Sequence, residues 1–171
     1  IMSELIIPRP STRVHMDFFQ RHSDEVARDL LGRVLVKERA GKSNLYVRLD
    51  EVAAYEGVVK SMTKGALEIP GTIGVSTKYG KNLIDLSTLS ICEASCVTLI
   101  GGTLFDGKKS VEKIKGPGKL SEVLEITKNY DGVPLNFARI WIGGETVGND
   151  KILKRNRSGL PENCKGYFYF R

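Results

Sequence analysis

Hydrophobic and polar positions alternate along most of this chain, and the alternation predicts strands. RVLVKE (33–38) meets the turn residues AGKSN, after which NLYVRLDEVAAY (44–55) resumes the pattern. Strict alternation would set Leu45, Val47, Leu49 and Glu51 on one side, and Tyr46, Arg48, Asp50 and Val52 on the other. GTIGVST (71–77) and LIDLSTL (83–89) flank KYGKN, which reads as a hairpin tip. ASCVTLI (94–100), NFARIWIGG (136–144) and GYFYFR (166–171) are further strands. Helical spacing occurs in two places. Ser23 is placed to cap DEVARDLL, with Asp24 and Glu25 in the first turn, Val26, Ala27, Leu30 and Leu31 on one face, and Gly32 as the stop. Gly116-Pro117-Gly118 opens the second helix, where Leu120, Val123 and Leu124 recur at helical spacing. Strands in excess of helices, without a regular strand–helix alternation, predict an α+β fold. The expected form is a rolled, mixed but mainly antiparallel sheet with peripheral helices. A length of 171 residues fits one domain over 1–171.

Composition adds little to that picture, and charge adds more. The chain is 41% hydrophobic and 27% charged, ordinary values for a globular protein. Its 26 Lys and Arg against 20 Asp and Glu leave a net charge of +6, a bias toward polyanions such as nucleic acid. With no run of 18 apolar residues, no transmembrane helix is expected, and IMSELIIPRP lacks the apolar core of an export signal. Cys92, Cys96 and Cys164 are odd in number, which argues against a disulfide framework and fits a reducing, intracellular setting. Cys92 and Cys96 have no second pair beside them to complete a zinc site, so they read as plain thiols. His15 and His22 read as surface or helix-end residues, and Trp141, in mid-strand, as core. The basic run KILKRNR (151–157) reads as a solvated or phosphate-contacting loop.

Six stretches, in order from DFF (17–19) to YFYF (167–170), resemble the alkyladenine (3-methyladenine) DNA glycosylase family. DFFQRHSDEVARDLLGRVLV resembles its opening helix and strand, EVAAYEG (51–57) its glutamate-rich active-site strand, and GTIGVSTKYGKN its DNA-contacting hairpin. ASCVTLIGGTLFDG resembles the next strand, GPGKLSEVLEI the Gly-Pro-x-Lys-Leu motif and its helix, and RIWIGG with GYFYF the closing strands. The resemblance implies a monomer that binds double-stranded DNA with damaged purines, flips the lesion out, and hydrolyses its N-glycosidic bond without metal or organic cofactor. It places Tyr79 as the residue that intercalates into the duplex and Tyr55 as the one that stacks on the extruded base. Lys64, Lys78, Lys81 and Lys119 would supply positive potential, Gly80 the tight tip of the hairpin, and Gly116 and Gly118 a phosphate-binding turn. Each has a plainer structural reading: Tyr79 as a surface turn residue, Tyr55 as a core tyrosine, the glycines as a cap.

The match breaks at the catalytic floor. The family's general base falls on Ala53, which cannot polarise water. Its pocket histidine falls on Lys64, its base-facing hairpin tyrosine on Ser76, the asparagine after the hairpin on Leu86, and the water-holding arginine on Ile100. Three outcomes stay open. Another carboxylate substitutes, with Glu51 and Glu56 the first candidates and Asp50 and Asp85 behind them; the chain binds DNA or RNA on the same scaffold without cutting; or it acts on cationic alkylpurines, whose glycosidic bonds break with little help.

Overall fold

Two long strands carry the fold. In this computed structural model, which describes residues 5, 7–56, 70–78, 80–88, 95–137, 139–160 and 165–171 (Ser76, Lys78, Ser95 and Asn149 through their backbone alone), they are β2 (Leu45–Glu56) and β5 (Ser95–Asp106). They pair antiparallel along their whole lengths, and each splits its other edge between two partners. The first half of β2 takes β1 (Val34–Lys37), which continues to β7 (Ile140–Gly143). Its second half takes β9 (Lys165–Phe170), which continues to β8 (Leu153–Asn156). The first half of β5 takes β4 (Lys81–Ser87) and then β3 (Ile73–Lys78), while its second half takes β6 (Lys109–Lys115). Every pairing among these nine strands is antiparallel. Among the described residues three α-helices accompany them: α1 (Met16–Phe19), α2 (Ser23–Leu30) and α3 (Pro117–Val123). The α+β class read from the sequence therefore holds.

The changeover between the two halves falls at an irregularity in β2, where register shifts on both sides of Glu51. A bulge sharpens local twist and reverses which face the following residues take. Leu45, Val47 and Leu49 face the main core, and past the bulge so do Val52 and Ala54. Strict alternation had put Val52 on the Tyr46 side and Glu51 on the Leu45 side; the bulge corrects both. Opposite it stand Gly101 and Gly102. A Cβ on Gly102 would fall 2.1 Å from the Arg48 carbonyl oxygen, and one on Gly101 2.5 Å from that of Ile114. Only glycine permits strands to approach this closely.

The main core lies between this side of the sheet and the helices, joining Val26, Ala27 and Leu30 of α2 and Leu120 of α3 to Leu49, Val52 and Leu99. A second cluster behind β1 gathers Val34, Val36, Tyr46, Phe105 and Trp141, which explains why VLVK shows no alternation: both faces are covered. Other departures have local causes. His22, not Ser23, caps α2: the Asp24 N–H donates to His22 Nδ1 at 3.3 Å. Asn136, Phe137 and Arg139 lie outside any strand, with Asn136 and Arg139 at φ 77° and 59°. The run 151–157, read as a loop, contains β8, and β6 has no counterpart in the sequence reading.

Candidate functional site

Past the bulge, Glu51, Ala53 and Tyr55 share the face of β2 that points away from the main core. Ala53 is flanked on β9 by Phe168 and on β5 by Thr98, and Thr98 is flanked in turn by Asp85 on β4. A row Phe168–Ala53–Thr98–Asp85 thus crosses four strands, with directly opposed side chains on the same face. Beside it opens a cavity of about 500 Å³, lined by Tyr55, Lys81, Leu83, Thr98, Ile100, residues 115–119, Arg157 and Phe168. The structure therefore brings together Tyr55, Lys81, Gly116, Gly118 and Lys119 from three separate stretches of sequence.

Local packing explains the convergence. α3 is fastened to β4 by the Ser121 hydroxyl, which donates to the Asn82 carbonyl at 2.8 Å. Lys81 runs so close to Gly118 that a Cβ there would lie 2.6 Å from Lys81 Cδ. Gly80, just before β4, has φ +74°, a conformation suited to glycine. Lys78 closes β3 opposite Lys81. Tyr79 and Lys64 lie outside the described residues.

Tyr55 is closely housed, with 1% of its surface exposed. Gly166 lies under the ring, where a Cβ would come within 2.9 Å of Tyr55 Cδ1 and Cε1. The Arg157 guanidinium stands 5.1 Å from the ring centroid and 5.9 Å from that of Phe168. The Arg157 main chain is tied down by its N–H, which donates to the Gly166 carbonyl at 3.0 Å. Arg155 stands over Phe168 at 5.1 Å and Phe170 at 5.8 Å. Cations and aromatic faces attract through the ring quadrupole, so β8 and the residue after it form a ladder over β9.

The carboxylates separate sharply. Ala53 is fully buried in an apolar nest with Tyr55, Cys96, Ile100, Leu160 and Phe168. Glu56 belongs to the opposite face, in contact with His22 Nε2 at the start of α2. This sets Glu56, named as a candidate substitute base, on the face opposite Ala53, because the bulge carries positions 54 and 56 to the core side. Glu51 and Asp50 line a neighbouring groove of about 460 Å³ with Arg155 and Arg171, which meets the main cavity at Ile100, Lys115 and Gly116. Leu86 points into the main core, and its neighbour Asp85 takes the cavity side. Asp85 is fully buried and accepts a 2.5 Å hydrogen bond from the Thr98 hydroxyl. Among the described residues, four cations line the main cavity, Lys81, Lys115, Lys119 and Arg157, and no carboxylate does.

Sequence reasoning missed Phe168, Thr98, Lys115 and Arg157. Phe168 and Thr98 follow from register alone, once β9 and β5 are known to flank Ala53. Lys115 ends β6 and Arg157 follows β8, two strands that the sequence reading did not recognise.

Residues 17–171 match a family model described as methylpurine-DNA glycosylase (MPG). The chain is 25% identical to a protein named putative 3-methyladenine DNA glycosylase from Gloeobacter violaceus, over 88% of this chain and 79% of that one. It is 31% identical to one of the same name from Methanocella arvoryzae, over 78% of this chain and 75% of that one. A third, from Clostridium novyi, is 27% identical over 92% of each chain.

Proposed function

Because the chain belongs to the methylpurine-DNA glycosylase family, we propose that it recognises damaged purines in duplex DNA, turns one into the cavity beside Tyr55 and hydrolyses its N-glycosidic bond. The observation that carries this reading is the cavity itself. It is about 500 Å³ in volume, walled by Tyr55 and Phe168, and rimmed by Lys81, Lys115, Lys119 and Arg157. A volume of roughly 300–1,000 Å³ with aromatic walls suits a flat heterocycle. The cationic rim suits the phosphates on either side of an extruded nucleotide. Tyr79, the hairpin-tip residue of the sequence reading, is assigned the role of filling the gap left in the duplex. Lys64 and Lys78 are assigned to phosphate contact.

Water is the nucleophile: its oxygen bonds to the sugar carbon as the C–N bond breaks, and the bonding pair leaves with the base. Cationic alkylpurines leave most readily, since the departing ring becomes neutral. The test is incubation with duplexes carrying 7-methylguanine, hypoxanthine or 1,N6-ethenoadenine, followed by detection of abasic sites. Release from at least one, together with tighter binding to damaged than to undamaged duplex, is expected. Tyr79→Ala should weaken that preference. Equal affinity for damaged DNA, undamaged DNA and a neutral polymer overturns the reading.

A second reading has its own observation. The apolar nest around Ala53 leaves that position without a base, so a protein that binds lesions and shields them without cutting fits the same cavity. Lesion preference without release selects it.

A further inference from the structure

We propose that Asp85 and Thr98 take over the proton-accepting role that Ala53 cannot perform, with Thr98 as the group facing the water and Asp85 as its positioning residue. The inference rests on the hydrolytic reading above and deepens it. Thr98 is the direct cross-strand neighbour of Ala53 and lines the main cavity. Its side chain therefore stands about 5 Å from the Ala53 methyl on the same face. The Thr98 hydroxyl donates to Asp85 Oδ1 at 2.5 Å, a length typical of a hydrogen bond to a carboxylate. That bond settles which way the hydroxyl points. Its proton is directed at Asp85, leaving an oxygen lone pair free to accept from a water in the cavity.

Asp85 itself is fully buried. A carboxylate held in a low-dielectric interior costs free energy unless it is paired, and this one is committed to a residue of the cavity wall. The rival carboxylates sit worse. Glu56 is on the other face, and Glu51 lines the adjoining groove instead of the main cavity. The relay balances. Water bonds to the sugar carbon, its proton passes to Thr98 Oγ1, the Thr98 proton passes to Asp85, and the electron pair of the broken C–N bond leaves with the purine.

The experiment compares wild type, Asp85→Asn, Thr98→Val and Thr98→Ser in single-turnover release of 7-methylguanine across pH. Binding is measured in parallel on a duplex in which fluorine on the lesion's sugar disfavours cleavage. Asp85→Asn and Thr98→Val should lose about 10²–10⁴-fold in rate while binding changes less than about threefold. Thr98→Ser should keep most of the rate, because the hydroxyl remains. Wild-type rate should rise with pH along one titration and then level; Asp85→Asn should lose that limb, which a merely structural aspartate would not govern. If Asp85→Asn does not fold, Thr98→Val against Thr98→Ser decides. Undiminished release in either Asp85→Asn or Thr98→Val overturns the proposal. So does lesion-selective binding by wild type without any release, which leaves recognition standing. Wild type that neither binds nor releases overturns the proposal and the function it rests on together.

Discussion

Arg157 is the cation that stands against the Tyr55 ring. Its guanidinium stands 5.1 Å from the Tyr55 ring centroid, and Gly166 packs against Cδ1 and Cε1 of the same ring, so under the proposed function a base that stacks on Tyr55 has to displace Arg157. A planar, delocalised cation on an aromatic face is the same kind of object as an alkylated purine ring. The two therefore compete for one site. Arg157→Ala should raise the preference for a 7-methylguanine duplex over undamaged duplex by about tenfold, the scale of a partly desolvated cation–π contact of about 1–2 kcal/mol. The same variant should bind undamaged DNA more weakly, through loss of one cation. Competition titrations on the two duplexes check both signs, and a preference that falls instead assigns Arg157 to holding the lesion. Tyr55 was legible in the sequence because EVAAYEG carries a recognisable motif. Arg157 was not, because its meaning comes from lying across β9, and nothing in KRNRS announces which ring a guanidinium will cover.

At the scale of elements, the decisive feature is the bulge at Glu51 with the two glycines opposite it. It divides β2 into a half that packs on β1 and a half that packs on β9, and it turns 51, 53 and 55 away from the main core, with Tyr55 lining the cavity. Gly102→Ala would place a methyl 2.1 Å from the Arg48 carbonyl oxygen and push the two longest strands apart. A loss of about 2 kcal/mol or more is expected, by the scale of overpacking, seen as a fall in Tm of about 4–8 °C. Because the same contact sets the facing of Tyr55, the variant should also lose lesion preference at temperatures where it remains folded. A stable variant with normal preference would show that the bulge is incidental to the site. The strands with a buried face were readable, since β2, β4 and β9 follow their hydrophobic residues. β8 was not, because LKRN is exposed throughout, nor β6, whose one fully buried side chain is Ile114. Such strands are held by ladder bonds to a neighbour, which leave no hydrophobic pattern. The bulge was equally invisible: it breaks the very alternation used to read β2.

For the whole molecule, the question is how a net charge of +6 is distributed. Lys81, Lys115, Lys119 and Arg157 surround one cavity, and Lys113, Arg155 and Arg171 line the groove that adjoins it. The two depressions meet at Ile100 and Gly116, so their cations form one continuous surface. Part of it is internally offset, because Asp50 lies 3.7 Å from Arg171 Nε. A surface of this kind attracts a phosphate backbone regardless of sequence and releases counterions on binding. With about four phosphates neutralised, affinity for undamaged duplex should fall on the order of 10²-fold between 50 and 200 mM salt. Lys119 is exposed, at the far end of the Gly-Pro-Gly turn. Lys119→Glu should therefore weaken damaged and undamaged duplexes by the same factor, flatten the salt dependence, and leave single-turnover release at saturating protein unchanged. Fluorescence anisotropy across a salt series, run beside the release assay, reads all three quantities. Equal loss on both duplexes places Lys119 in the phosphate track; loss confined to the damaged duplex places it instead at the base, and would move the lesion's seat from Tyr55 toward α3.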